Sequence, residues 1–222
     1  EEFLSDYYSQ MIGSWVARAR AWSQQYAAPE HVDLFDFCYH LVNPPPPCEA
    51  YNVDDTVGYN FEDISITGTN VDAGDDSSHL VSLPFTFTYY GQDYNAVYVS
   101  SNGLISFGDH LTAYSNACIP DSSVSQPFAA VFWDDLNASA GGDVFYEIKG
   151  TAPSRRLIVQ WQDVPHFDNL GAATFQAVLH EGNNEILFQY ADVVFEDARY
   201  DYGASATVGL QQNQACGTSY SC

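Results

Sequence analysis

Positive charge is almost absent from this chain. Its 222 residues include 29 Asp and Glu but only six Lys and Arg, with a single lysine at position 149, and the formal charge is −23. A surface of this sign repels phosphate groups, which argues against nucleic acid and against an anionic membrane surface as partners. A basic partner or a divalent cation remains compatible with the charge.

Long apolar runs and catalytic motifs are also missing. No run of about 18 apolar residues exists that could span a membrane as a helix. The six histidines lack the His-Glu-x-x-His spacing of a zinc protease, and the chain has neither a Gly-x-Ser-x-Gly turn nor a phosphate-binding glycine loop. We therefore expect no enzyme, and a secreted hydrolase is the least favoured class.

Aromatic residues, in contrast, are abundant, with 16 Tyr and 14 Phe. Such residues favour strands, and short apolar or alternating segments recur from residue 51 onward, separated by turn signals such as Asn102-Gly103. The fold class predicted is mainly β, an antiparallel β-sandwich of about ten strands. The strand segments are 61–66, 79–90, 95–99, 104–107, 128–133, 143–148, 156–161, 174–180, 185–190 and 206–211.

The first 28 residues follow a different pattern, because their apolar side chains recur at steps of three and four. This spacing predicts an N-terminal amphipathic α-helix that ends at Pro29, and the prolines at 44–47 predict a stiff polyproline hinge. We expect two parts, a helical arm with its hinge over 1–50 and the sandwich over 51–222. The residues predicted to form an assembly interface are Phe3, Leu4, Tyr8, Met11, Trp15 and Trp22.

The apolar face of this helix could pack against either of two surfaces. It could dock on the sandwich of the same chain and cover an open sheet face, or it could dock on a neighbouring subunit with the hinge as a connecting arm. Burial of each large side chain would contribute about 1.5–3 kcal/mol, which is ample to drive assembly. The sequence leaves both arrangements open.

Five cysteines are typical of a secreted protein. Cys38 and Cys48 bracket the prolines, and Cys216 and Cys222 bracket five residues at the C-terminus, so each pair could close a small disulfide loop. Cys118 would then be left over as a buried thiol or as a bond to another chain. A different pairing, in which Cys118 holds the C-terminal tail, also stays open.

Carboxylates crowd two loops, at 72–76 and at the turn that contains Asp134, Asp135 and Asp143. Hard cations such as Ca²⁺ take six to eight oxygen ligands, and crowded carboxylates repel one another unless something neutralises them. No cofactor is certain from this pattern, but Asp134, Asp135 and Asp143 are a candidate Ca²⁺ site. The alternative is a solvated acidic loop, since no EF-hand spacing is present.

An N-glycosylation sequon, Asn137-Ala138-Ser139, lies in the same turn. A turn would make the amide of Asn137 reachable by a glycosyltransferase. Asn137 is therefore a candidate modification site, and the protein a candidate glycoprotein.

Four motifs, in a fixed order, resemble those of a NIDO-type (nidogen/tectorin-type) extracellular domain across about residues 80–212. They are the turn 102–107 (Asn-Gly-Leu-Ile-Ser-Phe), 132–135 (Phe-Trp-Asp-Asp), 159–161 (Val-Gln-Trp) and 175–179 (Phe-Gln-Ala-Val-Leu). The resemblance implies an adhesion or assembly module rather than a known chemistry.

Together these features predict an exported, mature and disulfide-bonded protein, located outside the cell or at its surface. The function expected is that of a non-catalytic structural protein whose N-terminal arm joins copies into a homo-oligomer or polymer, such as a surface filament or sheath. The alternative is a monomeric secreted adhesion module that binds a carbohydrate or an extracellular protein, because Tyr and Trp side chains stack well on sugars.

Overall fold

A computed structural model describes Cys48, residues 51–168 and residues 170–222. The chain divides into two units, 1–47 and 48–222, and only the second contains described residues. The predicted helix, its assembly residues and the proline hinge therefore lie outside the part that can be described. Within that part, no helix is long and apolar enough to cross a membrane.

Within the described residues, eleven antiparallel strands form two sheets, which confirms a mainly β fold. The five-stranded sheet has the order β1-β6-β7-β8-β9 and the six-stranded sheet the order β11-β10-β5-β4-β3-β2. A 3₁₀ turn, Asp201–Gly203, precedes β10. The strands are β1 (Thr69–Asn70), β2 (Ser78–Tyr89), β3 (Gln92–Ser100), β4 (Leu104–Ser106), β5 (Phe128–Trp133), β6 (Asp143–Lys149), β7 (Arg156–Val164), β8 (Ala173–His180), β9 (Ile186–Asp192), β10 (Thr207–Asn213) and β11 (Cys216–Ser221).

The main core lies between the two sheets. Along β2 every second side chain from Val81 to Tyr89 is buried, as the two-residue period of a strand requires. Aromatic rings connect the sheets, since the ring of Phe132 on β5 lies 5.3 Å from that of Phe175 on β8, which in turn stacks at 4.8 Å on Trp161 of β7. Side chains from both sheets therefore form one apolar layer.

The outer face of the six-stranded sheet carries a second core. The segment 108–127 folds over this face and packs Leu111, Ile119 and Val124 against the buried strand residues Phe128 and Trp133. The indole N–H of Trp133 donates to the carbonyl of Ala113 at 2.8 Å. A long connection thus becomes part of the fold.

The outer face of the five-stranded sheet is crossed by residues 60–64, which we call the strap. Ile64 of the strap packs on Ile158 and Val178. Three buried glutamines on adjacent strands accept hydrogen bonds from alternate backbone N–H groups of the strap: Gln189 from Asn60 at 2.7 Å, Gln176 from Glu62 at 3.3 Å and Gln160 from Ile64 at 2.9 Å. The prediction of a strand over 61–66 was wrong, because side chains rather than a neighbouring strand bind this segment.

Two disulfides correct the predicted local pairs. Cys48 is bonded to Cys216, 168 residues away, and Cys118 to Cys222, 104 residues away. The open alternative in which Cys118 holds the tail is confirmed. The predicted pairs were wrong because they joined cysteines that are close in sequence. The fold instead brings the start of β11 beside residue 48 and residue 222 beside residue 118. Cys38 lies outside the described residues, and its expected partner is already taken.

Candidate functional site

The Asn102-Gly103 turn between β3 and β4 organises one end of the sandwich. Gly103 has φ +71°, and a Cβ at this position would lie 1.9 Å from the carbonyl oxygen of Phe132. The Gly103 carbonyl accepts hydrogen bonds from the N–H groups of Val131 and Phe132 at 3.0 and 3.2 Å. Only glycine allows this close approach of two backbones.

The fully buried side chain of Asn102 joins the two acidic segments that the sequence singled out. Its Nδ2 donates to Oδ1 of Asp76 at 2.7 Å, and its Oδ1 accepts from the N–H of Leu136 at 3.0 Å. The indole N–H of Trp161 donates to the carbonyl of Ser100, which ties the turn to the opposite sheet. We call this region, with Asp75, Asp76, Asp134 and Asp135, the acidic end.

Asp134 is the buried member of the acidic end. One of its carboxylate oxygens accepts from the hydroxyl of Ser205, and the other accepts from the N–H of Asp135 at 3.0 Å and lies 3.6 Å from Nε2 of His166. Because Nδ1 of His166 accepts from the backbone N–H of Asp168 at 3.2 Å, Nε2 carries the ring proton and faces Asp134. The carboxylate of Asp134 therefore serves the fold.

Asp135 lies half-buried beside Asp134. Burial raises the pKa of its carboxyl, and the negative charges of Asp76, Asp75 and Asp134 raise it further, while His166 opposes this shift. Burial and Asp76 also raise the pKa of Asp75. The carboxyl groups of Asp75 and Asp135 therefore hold a proton more readily than an ordinary aspartate does.

The three carboxylates expected to bind Ca²⁺ do not come together as a ligand set. Asp143 lies exposed at the start of β6, where it accepts from Nδ2 of Asn70 at 2.7 Å, and Asp134 is occupied as described above. Over the described ranges, no group of three or more His, Cys, Asp or Glu side chains is arranged to hold a metal ion. The carboxylates that do lie near one another come from two distant segments, Asp75 and Asp76 from one and Asp134 and Asp135 from the other.

Asn137 follows at the same end and pairs with Asp75 as an isolated antiparallel bridge. Its N–H donates to the carbonyl of Pro165 at 2.9 Å, which fixes the main chain of the sequon. The sequon is thus part of the acidic end.

Ser205, His166 and Asp134 have the composition of a hydrolase triad but the wrong arrangement. In a triad the imidazole lies between the nucleophile and the carboxylate. Here the carboxylate of Asp134 lies between, since the Ser205 hydroxyl donates to it and His166 faces its other oxygen. The hydroxyl has no imidazole to receive its proton, so this set does not activate a nucleophile.

An aromatic cluster beside the acidic end was not anticipated from the sequence. The ring of His166 stacks on Tyr200 at 3.9 Å, the Tyr200 hydroxyl donates to Asp168 at 2.6 Å, and Arg199 lies over the same ring at 4.9 Å. Residues 165–168 and 193–205 meet only through the fold, and no sequence motif marks their contact.

Every lysine and arginine among the described residues is paired with a carboxylate. Two of these cations share Glu62 of the strap, and the other two have partners of their own. The pairs are Lys149 with Glu62 at 2.7 Å, Arg156 with Glu62, Arg155 with Glu181 at 2.6 Å and Arg199 with Asp197 at 2.8 Å. The electrostatics of the surface are therefore set by unpaired carboxylates.

Comparison with known proteins agrees with this architecture. The family described as NIDO related matches residues 50–222. The chain is 28% identical over 145 residues to mouse alpha-tectorin, which covers 54% of this chain and 7% of that protein. Human alpha-tectorin is 26% identical over the same length, and dendrite extension defective protein 1 of Caenorhabditis elegans is 30% identical over 71 residues, 32% of this chain and 6% of that protein.

The chain therefore spans less than a tenth of the length of these relatives. No solved structure is significantly similar to it. The match over most of the chain, together with the two disulfides, identifies a module of the extracellular matrix or structural type and confirms the expected location outside the cell. The chain belongs to the NIDO-related family.

Proposed function

We propose that this chain is a non-catalytic structural subunit that self-associates through its N-terminal segment, residues 1–50. The observation that carries the proposal is the coverage of the sandwich by its own residues. The strap packs on the outer face of one sheet and residues 108–127 on the outer face of the other. Since both outer faces already carry packed side chains from residues 60–64 and 108–127, we propose that the amphipathic face of the N-terminal segment docks on another copy.

The disulfides support a load-bearing role for the domain. Cys48 directly follows the proline run, and its bond to Cys216 attaches the root of the N-terminal segment to the start of β11. Cys118 holds the residue after β11 in the same way, through its bond to Cys222. In the chain-entropy model, a crosslink that closes a loop of this size stabilises a fold by about 4–5 kcal/mol. A pull on the segment before Cys48 would reach β11 through the bond to Cys216.

The charge of the domain sets a condition for assembly. Residues 51–222 contain 22 of the 29 acidic side chains and four basic ones, and these four are all ion-paired. Like charges on neighbouring copies repel within the Debye length of about 8–10 Å. We therefore expect assembly to tighten when salt or Ca²⁺ is added, and light scattering that fell on either addition would contradict this expectation.

The proposal is tested on the full chain by electron microscopy and mass determination. The variant Trp15→Ser/Trp22→Ser changes the apolar face, and Gln10→Ser/Gln24→Ser changes the opposite face as a matched control. We expect ordered oligomers from the wild type and the control, and monomers from the tryptophan variant. Monomers from all three proteins in the presence of Ca²⁺ would overturn the proposal.

A second candidate, a monomeric adhesion module for carbohydrate or protein, has one specific observation in its favour. Tyr202 is 81% exposed and has φ +58°, an unusual backbone for a tyrosine, close in sequence to the stacked Tyr200. Exposed aromatic rings beside carboxylates suit the apolar face and hydroxyls of a sugar. Binding to a glycan array that is lost on Tyr202→Ala but retained in Trp15→Ser/Trp22→Ser would favour this function.

A further inference from the structure

The 222 residues contain one Asn-x-Ser/Thr sequon, Asn137-Ala138-Ser139. It lies in the turn between β5 and β6 at the acidic end. We propose that Asn137 carries an N-linked glycan.

Among the described residues, the carbonyl oxygen of the Asn137 side chain is hydrogen-bonded and its amide nitrogen is not. Its Oδ1 accepts from the N–H of Ser139 at 3.0 Å, from the hydroxyl of Ser139 at 2.6 Å and from the N–H of Ala140 at 3.1 Å. Its Nδ2 donates to no residue within the described part of the chain. The carbonyl oxygen therefore stabilises the turn, and the amide nitrogen can be bonded to a sugar without loss of a hydrogen bond.

Two other asparagines of the domain, Asn102 and Asn116, use their side-chain nitrogen for the fold. Nδ2 of Asn102 donates to Asp76, and Nδ2 of Asn116 donates to the carbonyl of Ser205 at 2.6 Å and to the hydroxyl of Thr207 at 2.9 Å. A sugar on either nitrogen would displace a bond of the folded domain. A glycosylated Asn137 keeps its carbonyl oxygen and one N–H, so all three hydrogen bonds of its turn survive.

Three residues of the sequon turn reach solvent. Ser139 and Ala140 are exposed, and Asn137 itself is partly exposed. The main chain is held by the bonds from Asn137 N–H to the Pro165 carbonyl at 2.9 Å and from Ala140 N–H to the Asn137 carbonyl at 3.1 Å. The main chain that carries the amide is therefore fixed, and a glycan would add bulk without breaking these bonds.

The modification is a substitution at the anomeric carbon of a sugar carried on a lipid-linked phosphate. A bond forms between Nδ2 of Asn137 and the anomeric carbon, and the bond from that carbon to the phosphate oxygen breaks. The phosphate leaves with the electron pair, and a base of the transferase takes one amide proton. No oxidation or reduction occurs.

A glycan at this position also restricts how copies can pack. Asn137 pairs with Asp75 and is two residues from Asp135, so the sugar covers part of the acidic end. That end then faces solvent in any assembly, which leaves the remaining surfaces for contacts between copies.

The test uses the full chain secreted by a eukaryotic cell line, with a known glycoprotein produced in the same cells. Peptide N-glycosidase in heavy-oxygen water converts a glycosylated asparagine to a labelled aspartate that mass spectrometry detects. We expect the label at residue 137 in the wild type and in Ser139→Thr, and not in Asn137→Gln or Ser139→Ala, and we expect none at Asn116.

An unmodified Asn137 in cells that glycosylate the reference protein would overturn the proposal, as would sugars found only on Ser or Thr. Thermal unfolding of the secreted variants shows that each is folded. Ser139→Ala retains Asn137 itself, so loss of the label in this variant identifies the sequon and not the asparagine alone as the cause. The result is independent of oligomeric state and so does not depend on the proposed function.

Discussion

The amide side chain of Gln211, on β10, holds residues 121–124 of the second core, and replacing it should lower the free energy of unfolding. It is fully buried, its Oε1 accepts from the N–H of Asp121 at 2.6 Å, and its Nε2 donates to the carbonyls of Asp121 and Val124 at 3.1 and 2.7 Å. Asp121 and Val124 are themselves buried. One side chain therefore satisfies three backbone groups of the segment that covers the sheet.

The substitution Gln211→Leu nearly preserves volume but leaves the N–H of Asp121 and the carbonyl of Val124 without a partner. The carbonyl of Asp121 keeps only the N–H of Val124, at 3.3 Å. Each buried group that loses its partner costs about 1–3 kcal/mol, so the two groups together cost about 2–6 kcal/mol. A domain of this size is stable by about 5–15 kcal/mol. We expect Tm to fall by about 4–24 °C, at about 2–4 °C for each kcal/mol.

The neighbouring residue provides a matched control. Gln212 is partly exposed, and its side chain makes no hydrogen bond to another described residue. Gln212→Leu should change the free energy of unfolding by about 0.5 kcal/mol or less. Urea denaturation, together with hydrogen exchange of residues 119–126, measures both effects. A difference of less than about 1 kcal/mol between the two variants would refute the reasoning that the Gln211 amide holds the segment.

Three further predictions concern the acidic end and the surface. Gly103→Ala places a Cβ against a backbone oxygen and should lower the free energy of unfolding by at least about 4 kcal/mol. Gly74→Ala is the control, because a Cβ there has no neighbouring atom within 4 Å, and it should leave the free energy of unfolding nearly unchanged. Equal melting temperatures for the two variants would contradict this prediction. Burial and neighbouring charge raise the pKa of Asp135, so its ionised form destabilises the fold as pH rises above about 4. Asp135→Asn should therefore raise Tm at neutral pH and less so in high salt, and a lower Tm would count against the charge argument. The hydrogen bond from Arg155 lowers the pKa of Glu181 from 4.5 to about 2, so the stability it contributes is present above pH 4.5 and is lost as pH falls toward 2. Glu181→Gln should flatten this part of the profile of Tm against pH, and an unchanged profile would speak against the ion pair.

The strands and the family could be predicted because they depend on local pattern. Alternation along 79–90 places every second side chain of β2 in the core, and Asn102-Gly103 fits a tight turn wherever the chain places it. The acidic character also follows from the sequence alone, since six basic residues cannot neutralise 29 acidic ones in any fold. The missed strands were short or terminal: β1 has two residues, and β11 contains glycine and serines.

The contents of the acidic end could be predicted only in part. Asp134 and Asp135 were identified, but their neighbours Asp75 and Asp76 come from about 60 residues earlier, and Asn102 joins them through its buried amide. Asp143, close in sequence, lies elsewhere. Antiparallel pairing brings loops of distant strands to one end of a sandwich, and this proximity leaves no spacing rule in the chain.

By itself, the sequence determined the β class, the family, the acidic character and the apolar stripe of the N-terminal segment, because each follows from residue types and their periodicity. The tertiary structure alone decided the disulfide partners, the role of the buried glutamines and the arrangement of Asp134 between Ser205 and His166. These features depend on distances between residues far apart in the chain. Such distances are set by how the sheets pack, since a side chain binds the partner that the fold places within reach.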